Sequence, residues 1–398
     1  MGIAKRITAK GAAVALVTGL ALSPGSAQAG HEHGPGHAPE HGPAKGRDAE
    51  LRRELAELTA LPDGPPGVIA VLREDGRTKV YQAGVSEVGT MRPPMPDDFM
   101  RLASASKAYS GAVALSLVRC GLLDLDDTLA RRLPQLPPAW GAVTLRQLLN
   151  HTSGLPDFSA AQAFRDIIIA DPHHVFDSQR LLDFVADKPL NFPAGSRYEY
   201  SNSDNIAVAL MAEAATGQRY EDLLASQVLR PLGLERTSLP SGFEMDEPYI
   251  HGYVVDPPDA PEDVSELFGM SGVWASGAIT STPRETGAFM RAWASGRLSG
   301  PEAYAQQTTF VEGGASEPAG PGRNDAGLGM FRYTTRCGVM YGHTGNTAGY
   351  TQLAASTPDG RRSLTFSVSV QVNKTANPVL LERLRSVQED FVCALLRD

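Results

Sequence analysis

The chain has 398 residues, is 42% hydrophobic and 20% charged, and carries a formal charge of −9 at pH 7. That composition excludes a disordered polymer, and the acidic balance argues against electrostatic binding to nucleic acid or an anionic membrane surface. Three cysteines are too few for a disulfide scaffold but enough for one bridge and one free thiol.

Lys5, Arg6 and Lys10 precede an apolar run from Gly11 to Leu22, and Ala27-Gln28-Ala29 supplies small residues at cleavage spacing. Residues 1–29 therefore read as a secretory signal peptide cleaved near Ala29. Its removal takes the formal charge from −9 to about −12. No later run is long enough to span a bilayer, so the mature chain is expected to be secreted and soluble. Residues 30–48 hold His31, His33, His37 and His41 among Gly and Pro, a spacing that prevents a fixed ligand geometry. This stretch reads as a disordered linker rather than a metal tract. The remaining residues, 49–398, are enough for one large domain or two intimately joined subdomains.

Asp48 to Leu58 predicts a short helix with Leu51, Leu55 and Leu58 on one face and Asp48 as its cap. Gly67–Leu72 and Thr78–Val85 predict two strands around Glu74-Asp75-Gly76-Arg77, a β-hairpin. From about Ser106 to Phe268 helical patterns dominate: 107–120, 144–150, 178–186, 204–216 and 220–228. The Gly, Pro and Ala content of 313–322 predicts a mobile surface loop. Val339–Gly345, Tyr350–Ala355 and Ser363–Val370 predict three more strands, and 377–396 a closing helix. Strands from both ends imply a single five-stranded antiparallel sheet flanked by terminal helices, with a mainly helical insertion at 106–268: an α/β (α+β) fold. Cys337 and Cys393 flank the last strands and the last helix, so their pairing would tie helix to sheet. Cys120 ends an apolar run and is expected to be a buried free thiol.

Three short motifs carry chemistry. In Ser104-Ala105-Ser106-Lys107, hydroxyl and amine stand one helical turn apart on one face, a nucleophile beside a base. The amine is a base only when neutral, which burial can enforce. Tyr200-Ser201-Asn202 offers a phenol to relay a proton and an amide to hold a substrate carbonyl and the Lys107 amine. In His343-Thr344-Gly345 the imidazole brings a titratable charge, the hydroxyl can bind a carboxylate, and the glycine permits close backbone approach. The backbone N–H of Asn346, which follows, could pair with that of Ser104 as an oxyanion hole.

In this order on this chain, the motifs resemble the serine penicillin-recognising superfamily, most closely the class C β-lactamases and the soluble serine D-alanyl-D-alanine carboxypeptidases. Further matches are Leu122–Asp127, Thr144–Leu155, Ser276-Gly277-Ala278 with Ser281-Thr282, and Tyr341-Gly342 with Gly349-Tyr350. The resemblance covers about residues 50–396 and implies a β-lactamase/transpeptidase-like fold. It implies that Ser104 forms an acyl-enzyme while Lys107 and Tyr200 exchange its proton. Asn202 would position the substrate, His343 and Thr344 would hold its terminal carboxylate, and Trp274 would line the cleft.

Where many relatives carry lysine, this chain has His343, as the carboxypeptidases and some esterases do. A histidine that loses its charge near neutral pH would hold a carboxylate substrate less well as pH rises. The expected activity is that of a secreted D-alanyl-D-alanine carboxypeptidase, with transpeptidation when an amine acceptor is present, acting on a cell-wall stem peptide and inhibited by β-lactams. The alternatives are a β-lactamase, an esterase or D-amino-acid amidase, and a binding module that has lost turnover. No metal or organic cofactor is implied.

Overall fold

The computed structural model describes residues 45–397. The signal-peptide reading of 1–29 and the four linker histidines lie outside the described residues. The linker is expected to run to residue 48, but the first described helix, α1 (Lys45–Thr59), already includes Asp48. Asp48 is therefore not its cap; its carboxylate accepts a hydrogen bond from the Tyr81 hydroxyl at 2.7 Å.

Among the described residues eight strands form one antiparallel sheet rather than the five expected. In chain order they are β1 (Gly67–Glu74), β2 (Arg77–Gly84), β3 (Val311–Glu312), β4 (Arg323–Ala326), β5 (Phe331–Thr335), β6 (Gly338–Thr347), β7 (Tyr350–Ser356) and β8 (Arg362–Val368), and their spatial order is β2-β1-β8-β7-β6-β5-β4-β3. The five predicted strands are all present. The extra three are short or polar segments whose strand character comes from pairing in series outward from β6, β5 on β6, β4 on β5 and β3 on β4, rather than from their own apolar pattern. Asp75 and Gly76 both have positive φ, 41° and 88°, as a two-residue hairpin turn requires, and they set the register Glu74↔Arg77 between β1 and β2.

Both faces of the sheet are covered, which is why β1 reads as a continuous apolar run. Val68, Ala70 and Leu72 pack under α1 and the closing helix, with Leu51, Leu55, Leu384 and Phe391. Phe391 meets Tyr81 and Phe366 edge-on at 5.3 and 5.4 Å. The other face receives the helix Pro283–Ala294 and the mainly helical segment. Within that segment, α2 (Ser106–Arg119) is buried from Ser106 to Leu117, and α3 (Asn202–Thr216) from Asn202 to Ala212. Completing the helix labels, α4 is Pro283–Ala294 and α5 is Pro378–Leu396.

Cys337, in the β5–β6 turn, is bonded to Cys393 of α5. Cys120, by contrast, is exposed. It lies one residue past the end of α2, beside Gly121 at φ 70°, where the chain has left the core. We expect one thiol per native chain to react with a water-soluble maleimide, and Cys120→Ser to abolish that labelling. Replacing both Cys337 and Cys393 by serine should cost about 2–4 kcal/mol in denaturant unfolding, because the bridge closes a loop with a sequence separation of 56.

Candidate active site

Ser104 lies in a 3₁₀ turn, Ala103–Ala105, that leads into α2. Ala103 holds φ 49°, a left-handed conformation that costs an alanine about 1 kcal/mol or more and persists because its surroundings enforce it. The turn is wedged against β6: a Cβ on Gly345 would lie 2.0 Å from the Leu102 carbonyl oxygen and 3.1 Å from the Ala105 nitrogen. Glycine at that position is what lets strand and nucleophile meet. From β7, Gln352 Nε2 donates to the Arg101 carbonyl at 3.2 Å, and the Leu102 N–H donates to the Ile279 carbonyl at 2.9 Å.

The Lys107 side chain is buried, with Nζ 3.1 Å from Ser104 Oγ, 2.7 Å from Asn202 Oδ1 and 2.8 Å from the Ser276 carbonyl oxygen. Burial pulls its pKa down to about 7, against the carboxylates of Asp157 and Asp204, which raise it. The amide and carbonyl oxygens can only accept, so they take the two N–H groups of a neutral amine. The lone pair is then left for Ser104, whose O–H donates to it.

Asn202 is committed at both ends of its amide. Its Oδ1 accepts from Lys107, while Nδ2 donates to Asp157 Oδ2 at 2.9 Å and to Ser159 Oγ at 3.1 Å. Its backbone N–H donates to the same Asp157 oxygen at 3.0 Å. In this structure the residue therefore fixes the lysine, with no amide group left over for a substrate carbonyl. Asp157, which orients it, carries no local sequence signal.

The Tyr200 ring lies 5.0 Å from Lys107 Nζ. Its hydroxyl is buried and completes no hydrogen bond of ordinary geometry, although Ser104 is near enough to oppose the rise that burial imposes on the phenol pKa. The burial effect dominates, so Tyr200 stays a phenol at neutral pH and serves as a proton carrier rather than a standing base. Behind it stands His151, ring centroid 4.5 Å away, with Nδ1 2.7 Å from Asp204 Oδ2; Ser153 Oγ donates to Asp204 Oδ1 at 2.5 Å. Burial favours the uncharged form of both partners, depressing His151 to about 3 and raising Asp204. His151 stood within the matched stretch 144–155, but nothing local assigned it this place.

His343 is on β6, buried, with Nδ1–H donating to the Thr344 carbonyl at 2.6 Å and Phe331 edge-on at 4.9 Å. Burial holds the imidazole down to about 3, so it is neutral across the physiological range and is not the positive charge expected from the sequence. Thr344 Oγ1 donates to the Pro318 carbonyl at 2.6 Å and lies 2.5 Å from Ser316 Oγ. The 313–322 loop is thus no mobile surface segment: Ser316, Pro318 and Gly320 are buried, the Tyr198 hydroxyl donates to the Ala315 carbonyl at 2.6 Å, and Arg385 Nε donates to the Gly320 carbonyl at 2.9 Å. Proline and glycine content signalled the absence of a regular element, not exposure.

Asn346 follows Gly345 on β6; its Oδ1 accepts from Thr351 Oγ1 at 2.8 Å, so any contribution to an oxyanion site would come from its backbone. Trp274 does not line the cleft. It is buried in the helical core against Tyr220 at 5.3 Å, its Nε1–H donating to Glu221 at 2.8 Å. Its segment contributes instead the Ser276 carbonyl. A shallow apolar cleft beside the nucleophile's turn is lined by Ala103, Ile168, Met270, Val273, Thr347 and Ala348. Among the described residues no group of three or more His, Cys, Asp or Glu is placed to hold a metal ion.

Residues 56–388 match the sequence profile of the family described as Beta-lactamase. The chain is 26% identical over 318 residues to penicillin-binding protein 4* of Bacillus subtilis, an alignment covering 74% of this chain and 66% of that protein. It is 31% identical to a D-aminopeptidase of Brucella anthropi, over 70% of this chain and 52% of the relative. The chain thus spans about half to two thirds of the length of these curated relatives. Among solved structures, a D-stereospecific amidohydrolase from Streptomyces sp. superposes with a TM-score of 0.73 at 27% identity, covering 84% of this chain and 97% of that one. The D-amino acid amidase of Ochrobactrum anthropi SV3 superposes with a TM-score of 0.74 at 25% identity, covering 88% and 99%.

The rate at which an activated ester acylates Ser104 should rise with pH through about 7 and level off above it, since Lys107 accepts the proton only after losing its own. Lys107→Met should lower that rate about 10²–10⁴-fold without moving the melting temperature downward. KM for a carboxylate-bearing substrate should carry no inflection between pH 6 and 9, because His343 does not titrate there; an alkaline rise in KM that disappears in His343→Asn would restore the charged role.

Proposed function

The chain belongs to the Beta-lactamase family, and from that membership we propose that it cleaves amide or ester bonds of D-amino acid derivatives through an acyl-enzyme on Ser104. The observation that carries the reading is the buried Lys107 amine, held by two acceptors with Nζ 3.1 Å from Ser104 Oγ and its pKa drawn down to about 7 by burial. Ser104 Oγ attacks the carbonyl carbon as its proton passes to Lys107. The backbone N–H groups of Ser104 and Asn346 would receive the oxyanion. On collapse the C–N or C–O bond breaks, and the leaving group takes a proton from Tyr200 or the Lys107 ammonium. Water then attacks the ester by the reverse relay, releasing the acid and regenerating Ser104.

A D-configured acyl group is supported by the D-aminopeptidase, D-stereospecific amidohydrolase and D-amino acid amidase that the chain resembles. The apolar cleft beside Ala103 suits an uncharged side chain on that group. A neutral His343 favours amide and ester substrates over those that end in a carboxylate. The second reading, a D-alanyl-D-alanine carboxypeptidase of the cell wall inhibited by β-lactams, is favoured by the penicillin-binding relative from Bacillus subtilis. For either activity we propose export, directed by residues 1–29.

Purified protein should release ammonia from D-phenylalanine amide far faster than from the L-amide, and Ser104→Ala should lose this activity. Intact-mass analysis with benzylpenicillin separates the remaining readings. A long-lived adduct together with D-Ala release from a D-Ala-D-Ala peptide favours the carboxypeptidase, rapid loss of the adduct favours a lactamase, and L-amide turnover equal to D-amide turnover removes the stereochemical claim.

A further inference from the structure

The wall of the site formed by His343 and Thr344 is the one that the family resemblance assigns to a substrate carboxylate. Holding that group takes a positive charge and a free O–H donor. Neither is present. The imidazole is buried, and its Nδ1–H is spent on the Thr344 carbonyl. The single Thr344 hydroxyl proton goes to the Pro318 carbonyl at 2.6 Å, and the Ser316 hydroxyl, 2.5 Å away, then donates to Thr344. Both hydroxyl protons are consumed inside the protein.

Between Ser316 and Pro318 stands Glu317. Its neighbours are fixed to both walls of the site: Ser316 and Pro318 to Thr344, and Ala315 to Tyr198, two residues before Tyr200. Arg385 holds the Gly320 and Gly322 carbonyls at 2.9 and 2.8 Å, so the loop is anchored at its far end too. Glu317 is exposed as a residue, partial burial raises its carboxyl above the usual range, and its charge acts on both Tyr198 and Tyr200. Lys374, exposed and the cation that acts on Glu317, offsets part of its charge.

We propose that the 313–322 loop, through Glu317 and the Pro318 carbonyl, makes this wall reject a carboxylate on the leaving group. The enzyme then works on substrates whose departing end is neutral or cationic: carboxamides, alkyl esters and amines. Like charge at the rim and the absence of a free donor act in the same direction, the first on approach and the second on binding. The inference rests on the acyl-enzyme reading above and names the leaving-group class for it.

The test is a matched pair, N-acetyl-D-Ala-D-Ala with a free C-terminus and the same peptide as its terminal carboxamide, which differ only in the charge of the departing D-alanine. Wild type should favour the carboxamide in kcat/KM by at least about fivefold, the size of one partly screened charge contact. Glu317→Gln should narrow that ratio severalfold, chiefly by lowering KM for the free acid. Raising ionic strength from roughly 0.05 to roughly 0.5 M should narrow the wild-type ratio in the same direction. Equal kcat/KM for the two peptides, or a ratio unmoved by both Glu317→Gln and salt, overturns the selector while leaving Ser104 chemistry intact. Failure to cleave either peptide or D-phenylalanine amide overturns the acyl-enzyme reading and the selector with it.

Discussion

An amine buried between two neutral oxygen acceptors, with no carboxylate in contact, is the constraint around which this protein is built. Lys107 would hold its proton to about 10.4 in water and loses it near 7 in the fold, a difference of roughly 5 kcal/mol at pH 7 and below. The unfolded chain keeps that proton until the pH reaches the ordinary lysine value, so the penalty fades as pH rises from 7 towards 10. Stability is surrendered at physiological pH to have a base ready beside Ser104.

Every wall of the site can be traced to the need to keep that amine dry and aimed. Helix α3 brings Asn202, which Asp157 holds by two hydrogen bonds. The segment before α4 brings the Ser276 carbonyl, and β6 seals the far side because Gly345 lets it touch the nucleophile's turn. The Tyr200 ring covers Nζ, and the His151–Asp204 pair supports that ring from behind without adding a charge. Neutrality is the common property: lysine, phenol and both histidines are all shifted by burial toward their uncharged forms.

What the sequence made legible was local. The Asp75-Gly76 turn, the strand at 67–74, the Leu51/Leu55/Leu58 face and the one-turn spacing of Ser104 and Lys107 each depend on residues a few positions apart, where chain geometry alone decides. The placement of Asn202 and Tyr200 with Ser104 was legible only through motif order. Asp157, Ser276 and the 313–322 loop were not, because they reach the site through contacts such as Lys107 to Ser276, 169 residues apart. His343 failed for a related reason: its identity was plain, but its charge depends on burial by Phe331 and the strands around it, which no neighbour in the sequence announces. Trp274 and Cys120 depart from their local signals in opposite directions: the first sits in the core instead of at the cleft, and the second is exposed at a helix end instead of buried.

The order in which the sheet is laid down has a consequence for when the protein becomes reactive. Strand β1 pairs with β8, and the Gly67 N–H donates to Ser369 Oγ, 302 residues away, so the centre of the sheet cannot close until residue 369 is available to it. Such non-local pairing is slow, because the loop entropy must be met before any contact rewards it. Without β6 beside it, the nucleophile's turn has no wall, and Lys107 stays wet and protonated. A nascent or unfolded chain therefore carries an inert serine, and acylating power arrives only with the last strands.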